Sequence, residues 1–377
     1  MSYDVIVLGL GGMGSAAADF AAQRGARVLG FDRYDPPHTM ASTHGRSRII
    51  RLAYMEHPAY VPLLRRAYEL WHDLEAQTGR EVMRITGGLM IGREDSEAVD
   101  GSLRSAREHD IPHRMMSAAE ARNEYPPFAI PDDFLALLDG SAGVLSPEEC
   151  IRAYLARARH AGAELRTHTV VDEVEIESER VRVRVGGEVH EASQLIVTAG
   201  AWTGSLLPDL AAHLTPTREV MHWFNPTSGI EQYQPEVFPI FFWEPPDGDQ
   251  IYGFPALDGP DGGVKVAIQH GGGPIDPNSP DRDVRDDDIA RVRASIQDAM
   301  PTLNGEWLEG AVCIYTNTPD HHFLLGTHPG ASRVHIAGGL SGHGFKFASV
   351  VGEVLADLAL QGGTSLALDP FAIGRFG

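Results

Sequence analysis

The chain has 377 residues, of which 52 are acidic and 31 are Lys or Arg, so its formal net charge is −21. This length can bury the cores of about two domains without disulfide bonds, and the acidity argues against broad contact with nucleic acid or anionic lipid. The two cysteines favour a reducing compartment. Neither a secretory leader nor an apolar run long enough to cross a bilayer is evident, so we expect a cytoplasmic protein without a membrane partner.

The N-terminal stretch DVIVLGLGGMG has the pattern of a dinucleotide-binding turn. Residues 4–8 predict a buried strand, and Gly9, Gly11 and Gly14 follow in G-x-G-x-x-G spacing before a helix of small residues. The glycines permit a tight turn, close approach of a pyrophosphate and close packing of helix on sheet. A second strand ends at Asp32, which is suitably placed to hold ribose hydroxyls. This pattern predicts dinucleotide binding but does not distinguish FAD from NAD.

A basic cluster follows in ASTHGRSRIIRLAY, residues 41–54. It contains His44, Arg46, Arg48 and Arg51, and apolar isoleucines lie between the last two arginines. A solvated loop is one interpretation. The other is a site for a small carboxylate substrate, because the planar guanidinium group pairs well with a carboxylate.

The middle of the chain predicts two amphipathic helices, one over residues 57–79 and one starting at LSPEEC. In the second, Ser146 is the expected N-cap, with Pro147 at the first helical position and Glu149 completing a capping box. Cys150 falls in its first turn, where we expect a structural role. Residues 164–204 alternate as a β-meander that ends in a buried strand. Residues 216–308 are richer in aromatic residues and predict a largely antiparallel sheet in a second domain inserted into the first.

Two further segments carry candidate functional groups. Lys265 lies between two valines on a predicted strand, where it is either exposed on one face or buried with a perturbed pKa. A glycine-rich loop precedes the last helix and contains His343 and Lys346, of which the lysine is the better functional candidate. In the sequence DHHF, adjacent histidines on a strand would face opposite sides, so no metal site is expected.

Together these segments resemble the monomeric sarcosine oxidase and N-methyltryptophan oxidase family of flavoprotein amine oxidases. The resemblance rests on GLGGMG with Asp32, HGRSRIIR, YGFP, VTAGAW, CIYTNTPDHHF and SGHGFKF, which span essentially the whole chain. It implies an α/β, two-domain fold of the D-amino-acid-oxidase type. A Rossmann-like FAD-binding domain of glutathione-reductase type would comprise residues 1–85, 140–215 and 310–377. A largely antiparallel substrate domain would comprise residues 86–139 and 216–309.

The resemblance also implies how the cofactor is held. The family's cysteine in the C-x-Y-T stretch forms a thioether to the 8α carbon of FAD, so Cys313 is the expected attachment point, with a buried structural thiol as the alternative. The complete predicted set of cofactor-binding residues is Gly9, Gly11, Gly14, Asp32, Arg33, Ser42, His44, Val171, Cys313, Gly342, Gly344 and Lys346.

Catalytic and substrate-binding roles follow from the same matching. Arg51 and Lys346 resemble the pair that holds the substrate carboxylate. His44 and Arg48 match residues beside the flavin ring, and Lys265 matches the lysine that promotes the reaction of reduced flavin with oxygen.

The substrate side of the pocket shows one departure from the family. Tyr252 matches a catalytic, substrate-contacting tyrosine, but the family's active-site histidine falls where this chain has Gln269, and His270 comes one residue later. A one-residue shift on a strand changes the face unless a bulge corrects it, so His270 is a substrate-binding candidate only with such a correction.

The resemblance implies a monomeric FAD-dependent oxidase that acts on the CH–NH group of secondary amino acids such as sarcosine or N-methyltryptophan. The product imine would hydrolyse to an amine and an aldehyde while O2 is reduced to H2O2. Within the same fold, the alternative is a dehydrogenase of proline or pipecolate type that passes electrons to a carrier. An NAD-dependent dehydrogenase and a non-catalytic flavin-binding module are the alternatives from other classes.

Overall fold

The computed structural model describes residues 2–259 and 261–376, which form three sheets flanked by helices. The strands are β1 (Tyr3–Leu8), β2 (Val28–Phe31), β3 (Arg48–Ile50), β4 (Met83–Ile85), β5 (Gly88–Gly92), β6 (His113–Ser117), β7 (Leu135–Asp139), β8 (Gly143–Leu145), β9 (Glu164–Arg166), β10 (Glu173–Ile176), β11 (Val181–Val185), β12 (Glu188–Val197), β13 (Thr215–Asn225), β14 (Ile240–Trp243), β15 (Ile251–Gly253), β16 (Val264–Ile268), β17 (Glu306–Asn317), β18 (Leu324–His328) and β19 (Ala331–Gly338). The α-helices are α1 (Gly12–Gln23), α2 (Val61–Thr78), α3 (Ser102–Glu108), α4 (Ala118–Glu124), α5 (Pro147–His160), α6 (Thr203–Leu206), α7 (Asp286–Ala299) and α8 (Ala348–Gln361). Short single-turn helices of other types lie between them.

The first sheet is the predicted nucleotide-binding sheet. Its centre is parallel, in the order β9, β2, β1, β12, and β19 continues it beside the end of β12. The antiparallel β-meander of β10 and β11 pairs with the beginning of β12. Val5 and Val7 pack toward α1, α5 and α8, whereas Ile6 and Leu8 pack on the opposite face. Burial on both faces explains the uninterrupted apolar run in β1, as expected for a parallel sheet.

The second sheet has eight strands in the order β17, β13, β16, β15, β14, β5, β7, β6. All of its pairs are antiparallel except β14 with β5, which confirms the expectation of a largely antiparallel sheet. Residues 86–139 supply three strands, and the segment from residue 215 onward supplies the others. Because β17 runs through residue 310, the predicted domain border at that position falls inside a strand. The domain limits themselves stay a prediction.

The third sheet is small and joins β3, β8 and β4. It holds the predicted basic segment in place, since Ile49 and Ile50 of β3 are buried in the main core while Arg51 follows directly. The apolar anchoring expected for this segment is therefore present.

Two local expectations were wrong. Ser146 is the N-cap of α5, but its side chain makes no capping hydrogen bond, and the Glu149 carboxylate pairs with Arg80 and Arg152 instead. The sequence DHHF lies in a loop rather than on a strand, because the chain turns at His321, which has a φ of 57°. Within residues 2–259 and 261–376, no three His, Cys, Asp or Glu side chains gather as a metal site would require.

None of the helices in the described part of the chain combines the length and apolar character that crossing a bilayer demands.

Candidate active site

A cavity of about 450 Å³ lies between the ends of the central parallel strands and one face of the second sheet. The residues predicted from sequence that line it are Gly9, Gly11, Asp32, Arg33, Ser42, Arg48, Val171, Tyr252, Cys313, Gly342, Gly344 and Lys346. Those that do not line it are Gly14, His44, Arg51, Lys265 and His270. The structure thus brings together residues from four distant parts of the chain around one space.

The glycine-rich turn between β1 and α1 forms one end of the cavity. Gly9 has a φ of 88°, which favours glycine, and a Cβ atom on Gly14 would lie 1.8 Å from the carbonyl oxygen of Gly9. A Cβ on Gly11 would meet no protein atom within 4 Å, so it would project into the cavity that this residue lines. The carboxylate of Asp32 accepts backbone N–H groups from Leu10 and Tyr34, both at 2.8 Å, which fixes it at the end of β2.

The opposite wall is one face of the second sheet. Side chains of directly opposite residues in neighbouring strands share a face. The register therefore places on one face Thr217, Glu219, Met221 and Trp223 of β13, Tyr315, Cys313 and Ala311 of β17, Lys265 and Ala267 of β16, and Tyr252 of β15.

Cys313 is buried on this face. Its Sγ donates a hydrogen bond to the carbonyl oxygen of Ser42 at 3.3 Å, and a guanidinium nitrogen of Arg48 lies 3.8 Å from the sulfur. Burial raises the pKa of the Cys313 thiol, while the positive charges of Arg48 and Lys265 act in the opposite direction. These charges offset only part of the effect of burial, so the pKa of the thiol remains above its usual value.

Lys265 is 3% exposed and lies behind the cavity wall. Its Nζ donates to the carbonyl oxygens of Gly45 and Ser47 at 2.8 and 2.9 Å, and it contacts the Ser47 hydroxyl at 3.1 Å. The Nζ also lies 4.6 Å from the ring centre of Phe254. Burial lowers the pKa of Lys265 well below its usual value, so the predicted alternative of an exposed lysine is wrong.

The backbone that holds Lys265 is a strained turn. Arg46, between the two residues whose carbonyl oxygens accept from Lys265, has a φ of 67°, and its guanidinium stacks 4.3 Å from the ring centre of Trp223. Arg46 also pairs with Asp258 and with Glu309, which lies directly opposite Trp223 in the pairing of β13 with β17. These contacts compensate for a backbone conformation that non-glycine residues rarely adopt.

His44 is buried beside Arg48. Burial, together with Arg48 and Lys265, lowers the pKa of His44 to about 3, so its imidazole is neutral at physiological pH. Its Nε2 is buried without a hydrogen-bond partner among the described residues. A buried polar atom of this kind is available to a bound group.

Tyr252 and Tyr315 form a pair, with 3.1 Å between their hydroxyl oxygens. Both line the cavity, and burial raises the pKa of Tyr252 to about 12. Tyr252 also stacks on Phe242, with 5.8 Å between the ring centres. Tyr315 was not singled out from the sequence, although its position two residues after Cys313 on a strand would have placed it on the same face.

The two predicted carboxylate-binding cations converge on one aromatic ring. The guanidinium carbon of Arg51 lies 4.5 Å, and the Nζ of Lys346 5.2 Å, from the ring centre of Tyr54. Lys346 lines the cavity and donates to the His343 carbonyl oxygen at 2.8 Å. Burial lowers the pKa of Lys346 to about 7.

Arg51 is already engaged by a carboxylate that the sequence did not reveal. It is completely buried, and it pairs with Glu56 at 2.7 Å. Burial raises the pKa of Glu56, but the cations, Arg51 foremost, outweigh burial and lower that pKa to about 2. The second oxygen of Glu56 has no hydrogen-bond partner among the described residues. A substrate carboxylate would share Arg51 with Glu56 or displace it.

Gln269 rather than His270 borders the cavity. Both residues lie just beyond β16, where His270 turns away with a φ of 51° and packs 4.6 Å from the ring centre of His321. We expected alternation along the strand to decide which of the two residues faces the cavity. Both lie beyond the end of β16 at Ile268, so alternation does not apply to them. The substrate-binding role of His270 stays a prediction.

Comparison with known proteins decides the family. Residues 4–358 match the family described as FAD dependent oxidoreductase. The chain is 47% identical to monomeric sarcosine oxidase from Streptomyces avermitilis, over 97% of this chain and 95% of that protein. The chain belongs to this family of FAD-dependent oxidoreductases. It is also 40% identical to monomeric sarcosine oxidase from Bacillus sp. (strain B-0618), over 99% and 96% of the two chains. It is 35% identical to N-methyl-L-tryptophan oxidase from Salmonella arizonae, over the full length of both.

Solved structures show the same fold for this FAD-dependent oxidoreductase. NikD, an unusual amino acid oxidase essential for nikkomycin biosynthesis, superposes with a TM-score of 0.86 at 24% identity, covering 98% of this chain and 97% of NikD. L-proline dehydrogenase from P. horikoshii superposes with a TM-score of 0.84 at 22% identity, covering 100% and 98% of the two chains. At these identities the likeness concerns the fold alone, and it confirms the predicted α/β architecture of the D-amino-acid-oxidase type.

The residues around the cavity fit FAD. The space in front of Gly11 admits a pyrophosphate that a side chain would exclude. The hydroxyl of Thr316, which lines the cavity, is buried without a hydrogen-bond partner in the described part of the chain, so it can bond to a bound cofactor.

Substitution of Gly14 by alanine and substitution of Gly11 by alanine should have different effects on stability and on cofactor binding. Gly14→Ala should destabilise the protein by about 1–3 kcal/mol even without cofactor, because its methyl group would overlap the Gly9 carbonyl. Gly11→Ala should leave the stability of the cofactor-free protein unchanged but weaken FAD binding. Urea unfolding of apoprotein and FAD titration, both in a Cys313→Ser background in which no thioether can form, measure the two effects. Equal stability of the two apoproteins would contradict the proposed packing.

Carboxylate binding should weaken as the pH rises through about 7. Lys346 carries its charge below its pKa of about 7 and loses it above, whereas Glu56 and His343, with pKa values of about 2 and 3, do not titrate there. A carboxylate without an ionisable nitrogen, 3,3-dimethylbutanoate, isolates this effect. Its dissociation constant, measured by flavin absorbance, should rise about tenfold between about pH 6 and about pH 8. The Lys346→Met variant should show weak binding without this pH dependence, and an equal pH dependence in both would contradict the assignment.

Proposed function

We propose that this FAD-dependent oxidoreductase oxidises secondary amino acids, N-methyl or N-alkyl compounds such as sarcosine or N-methyltryptophan, and reduces O2 to H2O2. The oxidised substrate is an imine, which water hydrolyses to an amine and an aldehyde. When bound, FAD accepts the hydride equivalent from the substrate and passes the electrons to oxygen.

The observation that carries the proposal is a pair of buried cations, of which Lys346 lines the cavity and Arg51 does not. Arg51 and Lys346 converge on Tyr54, and Lys346 opens into the cavity. A carboxylate held there fixes one end of a small amino acid, which restricts the orientation of its reacting C–H bond. Tyr252 and Tyr315 border the same space and exclude water from one side of the substrate.

Three further residues have proposed roles near the cofactor. Neutral His44 offers its free Nε2, and Arg48 holds a fixed positive charge between the Ser42 carbonyl and Cys313. Lys265 supplies a buried positive charge that stabilises the negative charge developing on oxygen during reoxidation. The assignment of these residues rests on their position around the cavity and on the resemblance to the sarcosine oxidase family.

A peroxide screen tests the substrate class. The purified holoenzyme is mixed in air with sarcosine, N-methyltryptophan, proline, pipecolate and the parent amino acids lacking the N-methyl group, and H2O2 and aldehyde are measured. We expect peroxide from at least one N-substituted amino acid and equimolar formaldehyde from N-methyl substrates. Flavin reduction without peroxide would instead favour the dehydrogenase alternative.

We propose that FAD is attached covalently through an 8α thioether to Cys313. Its burial on the cavity wall, opposite the Ser42 carbonyl and beside Arg48, supports this role. The Cys313→Ser variant should release all its flavin into the supernatant after acid precipitation, whereas the wild type should keep its flavin in the pellet. Cys150→Ser is the control, because Cys150 is a buried free thiol of α5 that does not line the cavity. Soluble flavin from the wild type would show non-covalent binding.

We also propose that the enzyme acts as a monomer in the cytoplasm, with a small amino acid and O2 as its partners. Both cysteines are free thiols, which suits a reducing compartment.

A further inference from the structure

Glu219 is a buried carboxylate that the roles described above leave unexplained. It is 4% exposed, it lines the cavity, and it lies directly opposite Cys313 in the pairing of β13 with β17. Since opposite residues share a face, its side chain emerges on the same side of the sheet as Cys313.

The hydrogen bonds around Glu219 favour its anionic form. Asn317 Nδ2 donates to the Thr217 Oγ1 at 3.1 Å, so the Thr217 hydroxyl uses its own hydrogen to donate to Glu219 at 2.8 Å. The second carboxylate oxygen accepts the backbone N–H of Gly272 at 3.1 Å. Each oxygen thus has one neutral donor and retains a free lone pair.

No cation neutralises this carboxylate within residues 2–259 and 261–376. Glu219 takes part in none of the ion pairs formed by the described residues, and the nearby cations are committed elsewhere. Lys265 is held by the backbone of residues 45 and 47, and Arg48 donates to Ser42 and Ser47. Arg291, whose positive charge acts against the effect of burial on the pKa of Glu219, is paired with Asp249 and donates to the Gly271 carbonyl oxygen. Burial raises the pKa of Glu219, as expected for a carboxylate that lacks a positive partner.

The cavity therefore carries opposite charges on different walls: Lys346 with Arg51 behind it, and Glu219 on the second sheet. An amino acid in its zwitterionic form carries the complementary pair of charges. Gln269, also on the cavity wall, adds a neutral side chain near the end of β16. A buried carboxylate without a counter-ion is costly unless a ligand supplies the positive charge.

We propose that Glu219 is a specificity-determining residue that binds the positively charged nitrogen of the amino-acid substrate. This inference rests on the proposed function, which it deepens: the enzyme selects carboxylates that carry a cationic nitrogen over uncharged carboxylates of the same shape.

Two isosteric ligands isolate the contribution of the cationic nitrogen to binding. Neither of them can be oxidised at nitrogen. Trimethylammonioacetate and 3,3-dimethylbutanoate have the same shape and carboxylate, but only the first has a positive nitrogen. Their dissociation constants are measured from the flavin absorbance of wild-type holoenzyme and of Glu219→Gln, Glu219→Asp and Glu309→Gln. Glu309 is an exposed carboxylate on β17, so its variant controls for loss of one negative charge from the same sheet.

The wild type and Glu309→Gln should bind the cationic ligand about tenfold more tightly than the uncharged one. Glu219→Gln should lose that preference while binding 3,3-dimethylbutanoate as the wild type does, and Glu219→Asp should retain part of it. If the pocket is too narrow for these ligands, glycine and propanoate form a smaller pair with the same charge difference.

An unchanged preference in Glu219→Gln, or no preference in the wild type for either pair, would overturn the inference. A loss of covalent flavin in Glu219→Gln with the preference intact would likewise overturn it and assign the carboxylate to cofactor attachment. Because the test measures ligand binding, it is independent of the oxidase assay. Peroxide formation together with an unchanged preference for the cationic ligand in Glu219→Gln would contradict this inference and leave the proposed oxidase function standing. A preference that depends on Glu219, without peroxide from any substrate, would remove the proposed oxidase function alone.

Discussion

Lys265→Met should leave anaerobic reduction of the flavin by substrate within about twofold of wild type and slow reoxidation by O2 by about a hundredfold to a thousandfold. The Lys265 Nζ lies behind the cavity wall. Its positive charge interacts with a nearby negative charge more strongly there than in water, because the site is buried. Oxygen gains negative charge in the reoxidation step, whereas the substrate gains none that this lysine contacts. The substitution therefore affects one half-reaction.

Stopped-flow absorbance measures the two half-reactions separately. Ser47→Ala is the matched control, because it removes one contact of Lys265 while the carbonyl oxygens of residues 45 and 47 keep the amine in place. Its reoxidation rate should stay within about threefold of wild type. Equal losses in reduction and reoxidation for Lys265→Met would show that the residue has only a structural role.

Arg51→Met should lower both stability and activity. Glu56 would be left buried without its ion-pair partner, which costs about 3–5 kcal/mol in the free energy of unfolding. Loss of the carboxylate contact should reduce kcat/KM by about a hundredfold. Urea unfolding and steady-state kinetics measure these two effects.

The double variant Arg51→Met/Glu56→Gln separates the two roles of this arginine. Removing the unpaired carboxylate should restore most of the stability, but kcat/KM should stay low because the substrate still lacks a cation. Recovery of activity together with stability would mean that Arg51 serves the fold and does not bind the substrate carboxylate.

The sequence predicted those parts of the fold that depend on local pattern. The apolar run of β1, the glycine spacing and Asp32 all lie in one short N-terminal segment. Together they therefore predict the nucleotide-binding sheet. The largely antiparallel second sheet was predicted from the aromatic-rich strands of residues 216–308.

The pairing register of strands that are far apart in the sequence could not be predicted in this way. Glu219 faces Cys313 only because β13 pairs with β17 in one register, and two strands about ninety residues apart in sequence carry no local sign of it. The ion pair between Arg51 and Glu56 was missed for a different reason, because the two residues lie in an irregular segment whose sequence has no period that indicates which side chains meet. At His270 the expectation depended on strand continuation, but the strand ends two residues earlier.

The central claim is tested most directly by anaerobic titration of the holoenzyme with the N-methyl amino acid that gives the most peroxide, followed by admission of air. We expect one equivalent to bleach the flavin absorbance completely, and air to restore the absorbance with one equivalent of H2O2. An enzyme whose bound flavin no N-methyl amino acid can bleach would contradict the proposed reaction. Bleaching that persists in air would contradict the oxidase assignment and indicate a dehydrogenase.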